Sequence, residues 1–222
     1  MKTINNVATL TNVNGVGVIA INFPPVNALS ASVRDGIHGA MQAAIADPAI
    51  DAVVLRCEGS TFIAGADITE FGKPPAGVSL GEVQRILEES PKPVVAAIHG
   101  TALGGGLEVA LVCHYRIALP TARLGLPEVN IGLLPGAGGT QRLPRIVGPE
   151  AALEMMTSGA HVRAKDALQS GLLDELAPED DLTGAAVALA RRVVDEKRPL
   201  RKIRDQNEKV EAARGHPEIF VK

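Results

Sequence analysis

Glu108 and Glu128 are the two residues of this chain whose surroundings best suit proton transfer. Glu108 closes the run His99-Gly-Thr-Ala-Leu-Gly104-Gly105-Gly106-Leu107-Glu108, in which glycines follow an apolar, strand-like segment and open a helix. Amides at a helix start have no intrahelical acceptor and favour developing negative charge, so the run reads as an anion-stabilising turn. A glutamate in a first turn is also a good dipole partner with no chemistry attached, and for an isolated turn that plain explanation is the stronger one. Glu128 lies in the apolar stretch Leu126-Pro127-Glu128-Val129-Asn130-Ile131, where ionisation is costly and a carboxyl group can hold or receive a proton near neutral pH. Alone, it is equally well an ordinary loop glutamate.

A third segment, Phe62-Ile63-Ala64-Gly65-Ala66-Asp67-Ile68, places small residues directly after a strand region. Its backbone can donate amides and accept with carbonyls without side chains intervening, although a tight turn has the same composition. None of the three segments is decisive by itself.

The elements that must position them alternate between strand and helix. Residues 15–23 are short, apolar and rich in Val and Ile, and Pro24-Pro25 ends them. Val33, Ile37, Met41, Ala44 and Ile45 recur at helical spacing over residues 30–47, with Ser30 as cap. Strands are predicted at Ala52–Cys57 and 93–98, on either side of a loop and a helix over 80–89. A short helix over 107–112 and a strand at Tyr115–Ala118 lead into a Pro- and Gly-rich run over 119–140. Beyond Gly148 the spacing is helical, over Pro149–Ser158, 164–169, 181–196 and 200–213. This is an α/β pattern with a helical carboxyl-terminal region: one core domain over 1–196, then a linker and last helix over 197–222.

Length and composition bound the function. A chain of 222 residues with 46% hydrophobic and 21% charged residues and a net charge of −3 suits one well-buried globular domain. There is no basic surplus for nucleic acid, and with no Trp, one Tyr and four Phe there is little on which bases could stack. No stretch approaches the length that spans a bilayer, and no charged start is followed by a long apolar run. Cys57 and Cys113 sit far apart in apolar segments, which predicts buried free thiols in a reducing compartment and no zinc site.

Read in order, the three segments resemble the enoyl-CoA hydratase/isomerase (crotonase-like) family. FIAGADI resembles its oxyanion and CoA-contact loop, HGTALGGGLEVAL its second oxyanion turn with a first glutamate, and LPEVNIGLLPGAGGTQRL its second glutamate loop. Three ordered motifs of this length are far more specific than any one glycine pattern. The resemblance implies a crotonase (ClpP-like) spiral of ββα units capped by helices. It implies Glu108 and Glu128 as catalytic groups, the amides of Ala66 and Gly105 as an oxyanion hole, and the Gly136 amide seating a water. Ala64, Gly65, Ala66, Asp67, Ile68 and Gly105 would contact an acyl-CoA thioester. No metal and no redox cofactor is implied; coenzyme A comes as part of the substrate. The expected reaction is hydration of trans-2-enoyl-CoA to 3-hydroxyacyl-CoA, with Δ3,Δ2-isomerisation as a second activity. Other reactions of the same fold (isomerisation alone, hydrolysis, decarboxylation) and a non-catalytic scaffold or RNA-binding homologue are the alternatives.

Family hydratases often carry lysines where this chain has Val26, Ser60 and Thr69, which leaves either Lys73 or a carboxyl-terminal cation to meet the CoA phosphates, or a weak phosphate contact. The ending PLRKIRDQNEKVEAARGHPEIF, and the early NFPPVNALS, resemble enzymes that fuse the hydratase to a 3-hydroxyacyl-CoA dehydrogenase. The resemblance therefore allows a homotrimer or a fused module. It places the protein in the cytoplasm of a bacterium or in a eukaryotic peroxisome.

Two other patterns fail on context. Gly77-Val78-Ser79-Leu80-Gly81 has the spacing of a serine-hydrolase elbow but follows FGKPPA, which is no buried strand; Ser79 and Glu82 read instead as a capping box. Gly15 to Ala20 has a dinucleotide-like spacing, but Pro24-Pro25 stands where a helix is required. The histidines show no ligand spacing, and His99 reads as a structural hydrogen-bonding residue.

Overall fold

The computed structural model describes residues 1–216 and Glu218. The chain opens with strands β1 (Lys2–Thr3), β2 (Ala8–Val13) and β3 (Val16–Ile21), followed by helix α1 (Ala31–Ala46) and strand β4 (Ala52–Cys57). Helix α2 (Leu80–Glu88), strands β5 (Val94–Ile98) and β6 (Thr101–Leu103), helix α3 (Gly105–Val112) and strands β7 (Tyr115–Ala118) and β8 (Arg123–Gly125) form the middle. Helices α4 (Gly139–Val147) and α5 (Pro149–Ser158), strand β9 (Val162–Arg163), helix α6 (Ala164–Ser170), strand β10 (Glu175–Leu176) and helices α7 (Leu182–Asp195) and α8 (Glu208–Arg214) complete it.

Seven strands form one sheet in the order β1-β2-β3-β4-β5-β7-β10, antiparallel at the β1-β2-β3 edge and parallel from β3 onward. A smaller sheet, in the order β6-β8-β9, pairs β6 and β8 in parallel and β8 and β9 antiparallel. Why β4 and β5 are continuous apolar runs follows from the two-residue period of a strand. Val53, Leu55 and Cys57 of β4 and Val94, Ala96 and Ile98 of β5 face the large core shared with α1, α2 and α3. Ala52, Val54, Val95 and Ala97 face a second core closed by Ala186, Leu189, Ala190 and Val193 of α7. Each fully buried Val or Leu contributes roughly 1.5–3 kcal/mol, so both faces hold the sheet flat against its helices.

The predicted helices and strands of the first half are present to within a residue or two, and Ser30 caps α1 by accepting the Val33 amide. The capping box is there: Glu82 accepts the Ser79 amide at 2.9 Å and Ser79 Oγ accepts the Glu82 amide at 3.2 Å. Residues 15–20 lie in the β2-β3 hairpin, which removes the dinucleotide motif. Both cysteines are buried, and burial pushes the Cys113 thiol up to about 12.

The Pro- and Gly-rich 119–140 run, to which no element was assigned, carries β8, a 3-10 turn over Pro127–Ile131 and the first residues of α4, whose Gly-Gly start and internal Pro144 mask its helical period. One expectation needs correction. The expected helix over 200–213 is broken into a 3-10 turn, Ile203–Asp205, and α8, because extended backbone at Gln206 intervenes. That break lets the segment follow the surface. Ile203 is 1% exposed, Tyr115 Oη donates to the Pro199 carbonyl at 2.8 Å, and Lys202 and Arg204 reach Glu88 and Glu89 at the end of α2. Of the 197–222 stretch, only Pro217 and residues 219–222 lie outside the described residues.

Candidate active site

The site is built where β6 hands the chain to α3. Gly104, with φ 51° and ψ −126°, caps that helix in backbone geometry that a side chain would strain. Gly106 lies so close to β-bridged Ile63 that a β-carbon there would sit 2.1 Å from the Ile63 carbonyl oxygen. The Gly-rich run is thus fixed by close backbone approach, which brings the Phe62-to-Ile68 loop against the start of α3. Gly105 is the first helical residue, so its amide has no acceptor within the helix. Leu29 donates to the Gly65 carbonyl at 2.9 Å, a parallel bridge that leaves the Ala66 amide free of an acceptor among the described residues. The position of a β-carbon on Gly105 lies 3.8 Å from the Ala66 nitrogen. Two unengaged amides therefore belong to residues that lie side by side.

They open on a cavity of about 360 Å³. Ala64, Gly65, Ala66, Ile68, Gly104, Gly105 and Glu128, with apolar Phe71, Pro127, Ile131 and Leu133, line it. Glu128 sits in the 3-10 turn after β8, and its Oε2 is buried with no hydrogen-bond partner. Burial raises its pKa, its own backbone amide pulls the other way, and the charge of Glu108 adds a smaller upward push.

Glu108 lies behind the wall rather than on it, 3% exposed on the buried face of α3. Its Oε1 accepts the amides of Ala137 and Gly139, each at 2.8 Å. Burial raises its pKa too, but those two amides and the Arg142 guanidinium pull the other way. The carboxylates are thus neighbours with opposite support: Glu108 has donors for its charged form, and Glu128 has an oxygen that gains from carrying a proton.

Other expected residues fall differently. Asp67 turns away from the cavity and caps the next turn, its Oδ1 accepting the Thr69 amide at 3.0 Å and the Thr69 hydroxyl at 2.7 Å. Gly136 is exposed on the loop after the second glutamate; the amides that reach a carboxylate there are those of Ala137 and Gly139. His99 donates from Nε2 to the Gly59 carbonyl at 3.0 Å, away from the cavity.

The sequence reading missed Gln84 and Arg142. Gln84 Nε2 donates to the Ala137 carbonyl at 2.7 Å, tying α2 to the loop that grips Glu108. Arg142 makes a two-pronged contact with Glu88, 3.0 Å from Nε to Oε1 and 2.9 Å from Nη2 to Oε2, and Glu88 is 2% exposed. Their signal was available: Gln84 and Glu88 stand four apart beside Val83 and Leu87, on the face of α2 that must be buried.

Two unengaged amides near a buried Glu108 and a half-buried Glu128, beside a largely parallel sheet and a second, three-stranded one, form the kind of site that the motifs led us to expect. The chain belongs to the enoyl-CoA hydratase/isomerase family, whose model matches residues 11–214. It is 53% identical over 165 residues to the peroxisomal bifunctional enzyme of Danio rerio, covering 74% of this chain and 23% of that protein. It is 43% identical over 188 residues to a probable enoyl-CoA hydratase of Bacillus subtilis, covering 81% of this chain and 73% of that protein. The crystal structure of an enoyl-CoA hydratase from Bacillus anthracis superposes with a TM-score of 0.77 at 28% identity, covering 96% of this chain and 90% of that one. The crotonase fold expected from the motifs is therefore the fold of this chain. The chain spans only about a quarter of the length of the bifunctional relatives.

Proposed function

We propose that this chain hydrates trans-2-enoyl-CoA to 3-hydroxyacyl-CoA in fatty-acid β-oxidation. The observation that carries the reading is Glu128 lining one cavity with the free amides of Ala66 and Gly105, with Glu108 close enough behind the wall for its charge to act on Glu128. The thioester oxygen accepts those two amides. Ionised Glu108 takes a proton from a water held between the carboxylates as the water oxygen bonds to C3. The C2–C3 π electrons move toward the thioester oxygen, and Glu128 delivers its proton to C2. One water is added, and the proton has passed from Glu128 to Glu108; exchange through solvent resets the pair. Backbone donors of this kind are worth roughly 3–4 kcal/mol each in other enzymes. Coenzyme A enters with the substrate, and the reaction as written calls on no metal or redox group.

One observation favours isomerisation as a second activity: Glu128 lines the cavity while Glu108 lies behind it. An ionised Glu128 can remove a proton from C2 of a 3-enoyl thioester and return it at C4, the same amides holding the enolate oxygen.

The relatives named bifunctional or multifunctional, and peroxisomal or glyoxysomal, support reading the chain as the hydratase module of a longer peroxisomal enzyme if its source is eukaryotic. Such an enzyme would oxidise the 3-hydroxyacyl product next; acting alone, the chain is expected to assemble as a homotrimer. The test is turnover of crotonyl-CoA and of a 3-enoyl-CoA by the purified chain. Consumption of the first supports hydration, and consumption of neither rejects the reading.

A further inference from the structure

Glu88, the last residue of α2, keeps its carboxylate buried although it does not line the catalytic cavity. Cations from two other elements hold it. Arg142 of α4 meets both of its oxygens, and Arg204, from the 3-10 turn Ile203–Asp205, reaches Oε2 at 3.1 Å. A carboxylate survives burial only when its charge is paired and hydrogen-bonded, which these three contacts achieve.

The same guanidinium bears on the loop that grips Glu108. Arg142 Nη1 occupies the place where a β-carbon on Gly138 would stand, and the Arg142 amide donates to the Gly138 carbonyl at 2.9 Å. Gly138, with φ 94°, lies between Ala137 and Gly139, whose amides reach Glu108 Oε1. One turn before Glu88, Gln84 donates to the Ala137 carbonyl at 2.7 Å and to the Glu108 carbonyl at 3.4 Å. Helix α2 therefore holds this loop at two points, directly through Gln84 and by way of Arg142 through Glu88.

Resting on the hydratase reading, we propose that Glu88 is a positioning residue for hydration: it pins the Arg142 guanidinium against Gly138 and so keeps the Ala137 and Gly139 amides aimed at the Glu108 carboxylate. Through Arg204 the same carboxylate ties the carboxyl-terminal segment to the site.

Glu88→Gln keeps the side chain's size but offers Arg142 one acceptor oxygen in place of two. The kcat for hydration of crotonyl-CoA should fall by about tenfold or more, because ~1 Å of misplacement costs on the order of 10²-fold. KM should stay within about twofold, as for an interaction that acts on the transition state. Isomerisation of a 3-enoyl-CoA, which runs on Glu128, should be spared. Added to Glu108→Gln, Glu88→Gln should change the residual hydration rate by less than about twofold, since its effect passes through Glu108. A double variant in which the two losses multiply overturns the proposal.

A loss of stability is separated from a loss of position by Glu88→Met combined with Arg142→Met, because apolar replacement of a buried ion pair is often neutral or stabilising. Hydration by this variant should stay as slow as in Glu88→Gln; a parental rate overturns the proposal. The amide proton resonances of Ala137 and Gly139 in the ¹⁵N-labelled chain report on the loop without turnover. In Glu88→Gln they should move toward their positions in Glu108→Gln, and unmoved resonances overturn the proposal. A parent chain that converts neither crotonyl-CoA nor a 3-enoyl-CoA rejects the hydratase reading, and the resonances then decide whether Glu88 holds the loop.

Discussion

Gly104 and Glu128 are in contact across two separate motifs: a β-carbon on Gly104 would lie 3.1 Å from Glu128 Oε1. The turn that frees the Gly105 amide is thus also the floor on which the second carboxylate rests. Any side chain at position 104 must strain the backbone, at a cost of order 1–3 kcal/mol, and move the glutamate. Gly104→Ala should lower kcat on crotonyl-CoA on the order of 10²-fold, the effect of about 1 Å of misplacement. Steady-state kinetics beside a melting curve checks this; a stable variant with parental kcat contradicts the contact's role.

Glu128→Gln should cost about 10²–10⁴-fold in both hydration and isomerisation, the usual contribution of a positioned acid or base. Because the parent leaves Oε2 buried and unpartnered, the amide should fold at least as stably. Glu108→Gln keeps an oxygen for the Ala137 and Gly139 amides, so it should spare the fold and harm hydration more than isomerisation. Rates on a 2-enoyl and a 3-enoyl substrate separate the two; equal, mild losses reject the division of labour.

The stability contributed by Glu108 and Glu128 should fall as pH rises across the region where they titrate, against a gain from buried His114, whose pKa burial lowers to about 4. Burial raises both folded-state values above the ordinary glutamate value of about 4.3. A group that binds its proton more tightly when folded contributes stability below its unfolded value and loses that contribution as pH climbs through the raised one. As pH rises from 4 to 8, the melting temperature of Glu128→Gln should gain on that of the parent. A difference that stays constant with pH would show that Glu128 is not the source.

Arg142→Met removes a charge that lowers the Glu108 pKa and breaks the contact with buried Glu88. Breaking one partner from a buried pair costs about 3–5 kcal/mol; Arg204, 3.1 Å from Glu88, should keep the loss toward the lower figure. The acidic limb of the kcat/KM profile should move to higher pH as well. Urea unfolding and a pH–rate profile test the two halves separately; a stability loss with an unmoved limb would leave Arg142 as scaffold alone.

Gly106→Ala should destabilise by about 3 kcal/mol, the upper end of ordinary overpacking, because the added carbon meets a backbone oxygen that cannot swing away. An unchanged urea midpoint would contradict that packing.

What could be read from the sequence followed from period and chemistry. Ala52–Cys57 and Tyr115–Ala118 stood out because both faces of a central strand are buried. The two glutamates and the small-residue loop stood out because apolar surroundings and glycine leave few other uses for them. What stayed hidden depended on distant contacts. The six residues of β2 alternate too weakly to announce an edge strand, and β8 and β9 are too short to show a period. The buried face of α2 marked Gln84, but its partner Ala137 is 53 positions away, and Arg142 meets Glu88 only across 54 positions, so what each does shows only in the folded chain. The 200–213 segment kept a helical spacing but broke because Lys202 and Arg204 are drawn to the acidic end of α2.

The most direct test is the fate of solvent during turnover of crotonyl-CoA in ¹⁸O-labelled water by the parent chain, Glu108→Gln and Glu128→Gln. The two-carboxylate account predicts one labelled oxygen at C3 of the product from the parent, and yields reduced at least about 100-fold in each variant. Label incorporated at the parental rate after either substitution would contradict it.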